Sequence, residues 1–218
     1  MKKILMTLAA ALLLFNVSYG QTEKTMKNFD NETIRTIMAR RSIRAFKSQP
    51  VDHDVMDAIL KCAINAPSAR NSQSWEVRVT DDPEFIAGLN TAVKENAAKS
   101  GDERMAKMVS NPKWSGLFYG APTVVFVADT EDRWSESDCG MFCENLMLAA
   151  QSLGVGSVAL GSPAMMVSAP GMEDYLAKLE IPSDHHIYLV IALGYPDQSP
   201  DAKPRDAGKV KWVKQASN

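Results

Sequence analysis

At 218 residues, with 45% hydrophobic and 23% charged side chains, the chain has room for one substantial domain with a real core, and it is not a disordered tail. A formal charge of −2 argues against broad polyanion binding, which needs a basic face to displace counterions. Three cysteines are too few to staple a chain of this length.

The N-terminus opens with Lys2 and Lys3, then the apolar run "ILMTLAAALLLFNV" from Ile4 to Val17, then Ser18-Tyr19-Gly20. This pattern matches a secretory signal peptide over residues 1–20, and the run is short for a membrane span. The expected mature protein is therefore exported, to the periplasm, with no membrane span after cleavage. It would carry 22 basic against 26 acidic side chains, a formal charge of −4. Residues 21–30 read as a flexible polar segment and residues 31–218 as one domain.

From Glu32 to Arg40, Ile34, Ile37 and Met38 recur at helical spacing. The stretch Arg40-Arg41-Ser42-Ile43-Arg44-Ala45-Phe46 follows, and Pro50 breaks the next segment. Asp52 is placed to cap a helix carrying Val55, Ile59 and Ala63. "NAPSARNSQSW", residues 65–75, is loop chemistry, and "WEVRV" reads as a strand. Residues 83–118 are polar and amphipathic, one or two surface helices. "TVVFVA" after Pro122 has the β-branched character of a buried strand. Asp138 to Leu153 is apolar on almost every side, which predicts a helix buried in the core or in a subunit interface, ending at Gly154. "GSVALGSP" and "IYLVIALGYP" supply two more strands. Helices and four to five strands without a regular βαβ series predict an α+β fold.

No strong catalytic motif appears: no GxSxG, no HExxH and no metal-spaced cysteine–histidine set. His185 and His186 are adjacent in a strand pattern and would point to opposite faces, so no metal site is expected. Gly154-Val155-Gly156 follows a helix and lacks the third glycine of a dinucleotide fingerprint. Cys62, Cys139 and Cys143 read as buried small apolar residues. What remains is basic: arginine forks bind phosphate oxygens bidentately, Ser42 adds a hydroxyl, and Lys203 and Arg205 form a second basic pair. From the residues alone, a solvated turn and a phosphate site both stand.

Five segments in order change that balance. "RRSIRAF" with "APSARNSQSWEVRV", then "FYGAPTVVFVA", "GMFCENLMLAAQSLGVGSVALGSP", "LVIALGYPD" and a late "KPR" resemble the FMN-dependent nitroreductase family, from about Ile34 to Arg205. The resemblance implies a nitroreductase-like fold: a central mixed, mostly antiparallel sheet of four to five strands flanked by helices, in a homodimer whose C-terminal segment reaches the partner. It implies that Arg40, Arg41, Ser42 and Arg44 hold the phosphate and ribityl side of FMN, with Lys203 and Arg205 meeting the same phosphate. Pro67, Ser68, Ala69, Asn71 and Gln73 match a loop that reaches the flavin from the other subunit. Leu160, Gly161 and Ser162 match the segment along the ring, and Asn90 matches a ring-contacting asparagine. Arg70, Trp114, Phe118 and Tyr119 fall where substrate would lie, although such aromatics also serve as core anchors. Two departures stand out: Ala69 and Arg70 lie where relatives carry a small hydroxyl residue, and Ser74 where proline is common. The implied activity is electron transfer from NAD(P)H or another donor, through FMN, to a small electron-poor acceptor such as a nitroaromatic or quinone, by a ping-pong scheme. No residue is assigned a catalytic role, because the flavin carries the chemistry. Alternatives are a flavin carrier with little turnover, a dehalogenase or dehydrogenase of the same family, and a non-flavin anion-binding protein.

Overall fold

The computed structural model describes residues 30–213; the signal-peptide region and nearly all of the polar segment after it lie outside. The described chain falls into two units, divided between Arg40 and Arg41. The first holds helix α1 (Glu32–Ala39), whose N-cap Asn31 accepts the Ile34 N–H at 3.0 Å. Arg40 closes it, donating its backbone N–H to Thr36.

The second unit runs through α2 (His53–Ala63), β1 (Glu76–Thr80), α3 (Pro83–Lys99), α4 (Glu103–Val109), β2 (Thr123–Thr130), α5 (Ser135–Ser152), β3 (Gly156–Leu160), α6 (Gly161–Val167), α7 (Glu173–Lys178) and β4 (His185–Gly194). The four strands form one sheet in the order β1-β2-β4-β3, each neighbouring pair antiparallel. The parallel contribution is an isolated bridge between Ser42 and Ser157. This is the α+β arrangement the sequence predicts.

Strand β2 explains why its sequence shows no polar alternation. Val124, Phe126 and Ala128 enter one core with α3, α4 and α6, while Val125 and Val127 enter a second core with α2 and α5. A strand covered on both faces reads as a continuous apolar run. Each large side chain fully buried there, Phe126 or Phe142 for example, stabilises the fold by about 1.5–3 kcal/mol. Opposite Val127 and Ala128 of β2 the register slips by one residue, so Tyr188 of β4 has no partner in the ladder. Its hydroxyl donates to the Thr130 carbonyl at 3.1 Å instead.

Two local expectations are corrected. Asp52 sits at the N-cap of α2 but its side chain makes no capping bond; it accepts the Tyr195 hydroxyl at 2.9 Å. Cys62 is exposed, because α2 turns Ile59 and Ala63 inward and Cys62 outward, while Cys139 and Cys143 are buried. Helix α5 packs into the core, with Met141 and Glu144 exposed on the single chain. Its end at Gly154 (φ +75°) is as expected, with the Val155 N–H reaching back to Ala150 at 2.9 Å. Among the described residues, no helix is long and apolar enough to cross a membrane.

Candidate functional site

The basic segment is fixed along β3. The Ile43 N–H donates to the Ser157 carbonyl at 3.0 Å, and Ile43 is buried against Gly156. A Cβ on Gly156 would lie 2.9 Å from the Ile43 side chain, so only a residue without one lets this segment pack so closely. With Ile43 inward, Arg44 is exposed and Ser42 half-buried. The bridge is locally parallel, and it holds the segment against the start of β3, where Gly156 and Ser157 lie.

The chain after β4 joins the same region. Phe46 bridges Pro196 in antiparallel sense, Lys47 donates to the Tyr195 carbonyl and Asp197 to that of Ala45, both at 2.9 Å. Lys203 and Arg205 follow on exposed chain, where the Arg205 guanidinium donates to the Lys203 carbonyl at 3.3 Å.

At the far end of β3 opens a cavity of about 390 Å³. Ala159 to Pro163 form one wall and Lys113 to Leu117, with Tyr119, another. Arg44 lies with its guanidinium carbon 5.8 Å from the Tyr119 ring centroid, which connects the basic segment to this cavity. Among the described residues of the lining, Lys113 is the one that carries a charge and none is a carboxylate. Lys113, Met108 and Met166 escaped sequence reasoning, because nothing local marks them as lining a cavity.

Of the expected ring and substrate residues, Leu160, Gly161, Ser162, Trp114 and Tyr119 meet here. Phe118 does not. It is 1% exposed and packs edge-on against Phe126, ring centroids 6.0 Å apart, so it is a core anchor. Asn90 stands behind the wall: its Oδ1 accepts the Leu117 N–H at 2.7 Å and its Nδ2 donates to Ile86 at 3.0 Å. Gly116 (φ +88°) passes so close that a Cβ would lie 3.0 Å from that Oδ1.

The 67–74 loop is elsewhere. Its residues line a second cavity of about 210 Å³ that shares no residue with the first. Arg70, Asn71 and Gln73 all have positive φ, at 57°, 56° and 49°, and all three are exposed. Ser68 accepts the Gln73 N–H through its hydroxyl at 3.0 Å. The Ala69 N–H donates to Asp138 and the Ser74 hydroxyl to Asp129, each at 2.9 Å. Below them, burial first and then the charges of Asp129 and Asp138 push the Cys139 thiol up to about 12, so it stays protonated at neutral pH. Within one chain, then, the loop and the β3-end cavity are separate halves.

The nitroreductase family model matches residues 37–195. The chain belongs to the nitroreductase family. A putative NADH dehydrogenase/NAD(P)H nitroreductase of Archaeoglobus fulgidus is 30% identical over 170 residues, covering 78% of this chain and 88% of the relative. An NADPH-flavin oxidoreductase of Vibrio harveyi is 28% identical, covering 80% of this chain and 70% of its own length. Among solved structures, a Bacteroides fragilis nitroreductase with bound FMN superposes with a TM-score of 0.79 at 31% identity, covering 85% of this chain and all of that one. The chain pairs an antiparallel four-stranded sheet with helices on both faces.

Proposed function

We propose that the chain is an FMN-dependent NAD(P)H oxidoreductase, in which the β3-end cavity takes a flat ring and the basic segment beside it takes the phosphate. The observation that carries this is the continuity of the two: Ser42 bridges Ser157, Arg44 lies against Tyr119, and Tyr119 lines the cavity. The residues fit an anionic, flat cofactor. A Cβ built on Gly161 would meet nothing within 4 Å, so the backbone there lies open to a ring face. Trp114 and Tyr119 offer aromatic surface, and no carboxylate among the described lining residues opposes a negative ligand. Arg41, Ser42 and Arg44 would hold the phosphate, with Lys203 and Arg205 as two further cations on the segment that leaves from beside Ala45.

When bound, FMN supplies the two-electron chemistry between a nicotinamide donor and the acceptor. The protein's part is to orient and to exclude water. Leu160, Gly161 and Ser162 would give the ring a wall where β3 runs into α6. Asn90 fixes the opposite wall through Leu117. One cavity serves donor and acceptor in turn, the geometry of a ping-pong scheme, and Lys113 at its edge favours an electron-poor acceptor that carries negative charge. In the homodimer we propose, the loop bearing Asn71 and Gln73 completes the partner's site, which accounts for its separation from the cavity within one chain.

Initial rates test the scheme. With NADPH varied at several fixed concentrations of a nitroaromatic acceptor, double-reciprocal lines are expected to be parallel; lines that intersect would refute a shared cavity used in turn. Export, supported by the apolar run at residues 4–17, is a separate proposal. An N-terminus at Gln21 in the secreted fraction supports it, and full-length chain confined to the cytoplasm counts against it.

A further inference from the structure

Two side chains reach the 68–74 loop from beneath, and both are aspartates with almost no exposure. Asp138, in the first turn of α5 and 2% exposed, accepts the Ala69 N–H at 2.9 Å. Asp129, fully buried near the end of β2, accepts the Ser74 hydroxyl at 2.9 Å, while its other oxygen takes the Thr130 N–H and hydroxyl. Burying a carboxylate is unfavourable unless donors compensate, and an ordinary surface turn needs no such anchor. The chain between the two anchors is strained as well. Arg70, Asn71 and Gln73 all adopt left-handed backbone, a region that residues with a Cβ rarely occupy. Such conformations persist only where the surroundings over-determine them, and they gather at functional sites.

We infer that Asp138 and Asp129 are positioning residues that hold the loop tip in its ligand-ready conformation, so that Asn71 and Gln73 are displayed before the cofactor arrives. This rests on the reading above, that the loop meets FMN. The two bonds divide the work by position. Asp138 fixes the backbone just before the left-handed run, and Asp129 fixes the side chain just after it. The arrangement also bears on the alanine at position 69: the residue contributes its backbone N–H, and that N–H is turned inward to Asp138. Preorganisation of this kind improves affinity by removing the cost of ordering the loop on binding.

The test is FMN titration of the full-length apo-protein, followed by flavin fluorescence quenching, in wild type, Asp138→Asn and Asp138→Ala. The Asn amide oxygen still accepts the Ala69 N–H, so its Kd is expected within about threefold of wild type, whereas Ala is expected to raise Kd roughly tenfold. Ser74→Ala is expected to give a smaller loss in the same direction. An Asp138→Ala protein with a lower Tm but an unchanged Kd would overturn the inference, since a purely structural aspartate behaves that way. Hydrogen exchange at the Ala69 amide of apo wild type gives a second reading that needs no variant. Slow exchange there supports the clamp, and exchange at the rate of a free loop overturns it, even if Asp138→Ala does not fold. A wild-type protein that takes up no FMN would sink the proposed function instead, and the same exchange measurement would still decide the clamp.

Discussion

Lys113 is the single ammonium, with no carboxylate, among the described residues that line the cavity. Its effect is electrostatic and partly screened, worth up to about 1 kcal/mol at an exposed position. Lys113→Gln is accordingly expected to raise KM for 4-nitrobenzoate roughly threefold more than KM for nitrobenzene, with the difference shrinking as salt is added. Equal changes for the two acceptors would show that the charge does not read the substrate. At this scale the sequence spoke through resemblance: Arg44, Gly161 and Tyr119 were singled out because their segments resemble the nitroreductase family, and the structure puts Gly161 and Tyr119 in one cavity lining with Arg44 against Tyr119. Phe118 and Tyr119 are adjacent, and nothing local told which ring faces the core. Asp138 was unreadable for a different reason: its partner, Ala69, is 69 residues away.

At the scale of elements, the packing of the basic segment on β3 depends on Gly156. Its absent Cβ leaves room for Ile43, and overpacking by one methyl costs typically 1–3 kcal/mol. Gly156→Ala is expected to lower Tm and weaken FMN binding together, because the same shift displaces Ser42 and Arg44; a lower Tm with unchanged FMN affinity would uncouple the two. A second element-level contact is pH-dependent. His53, first residue of α2, pairs with Asp81 between β1 and α3 at 3.0 Å, and the hydrogen bond and then the charge of Asp81 raise its pKa. A raised folded pKa means the contribution is fully present below about pH 6.5, the ordinary value for histidine, and is lost as pH rises through the folded pKa. His53→Gln is expected to flatten that part of the Tm–pH curve, and an unchanged curve would remove the pair from the account. Helix α2 and strand β2 were legible from spacing and composition. The sheet order was not, since β4 inserts between β2 and β3 through pairings that no local pattern encodes.

For the whole molecule, the cofactor reading ties features that have no sequence proximity. Residues 41–44 and the tail from Tyr195 lie beside the start of β3, the wall at 159–163 and the turn at 113–119 lie at its other end, and the Arg44–Tyr119 contact links the two. Their order along the chain carried the family resemblance. The separation of the 67–74 loop from this cavity became visible only in the fold. The most direct test of the central claim is the visible spectrum of the purified protein after incubation with FMN and removal of free flavin, recorded before and after anaerobic NADPH or NADH. The account expects flavin bands that stay with the protein and bleach on adding the donor. A protein that emerges colourless, or one whose bound flavin neither nicotinamide bleaches, would contradict it.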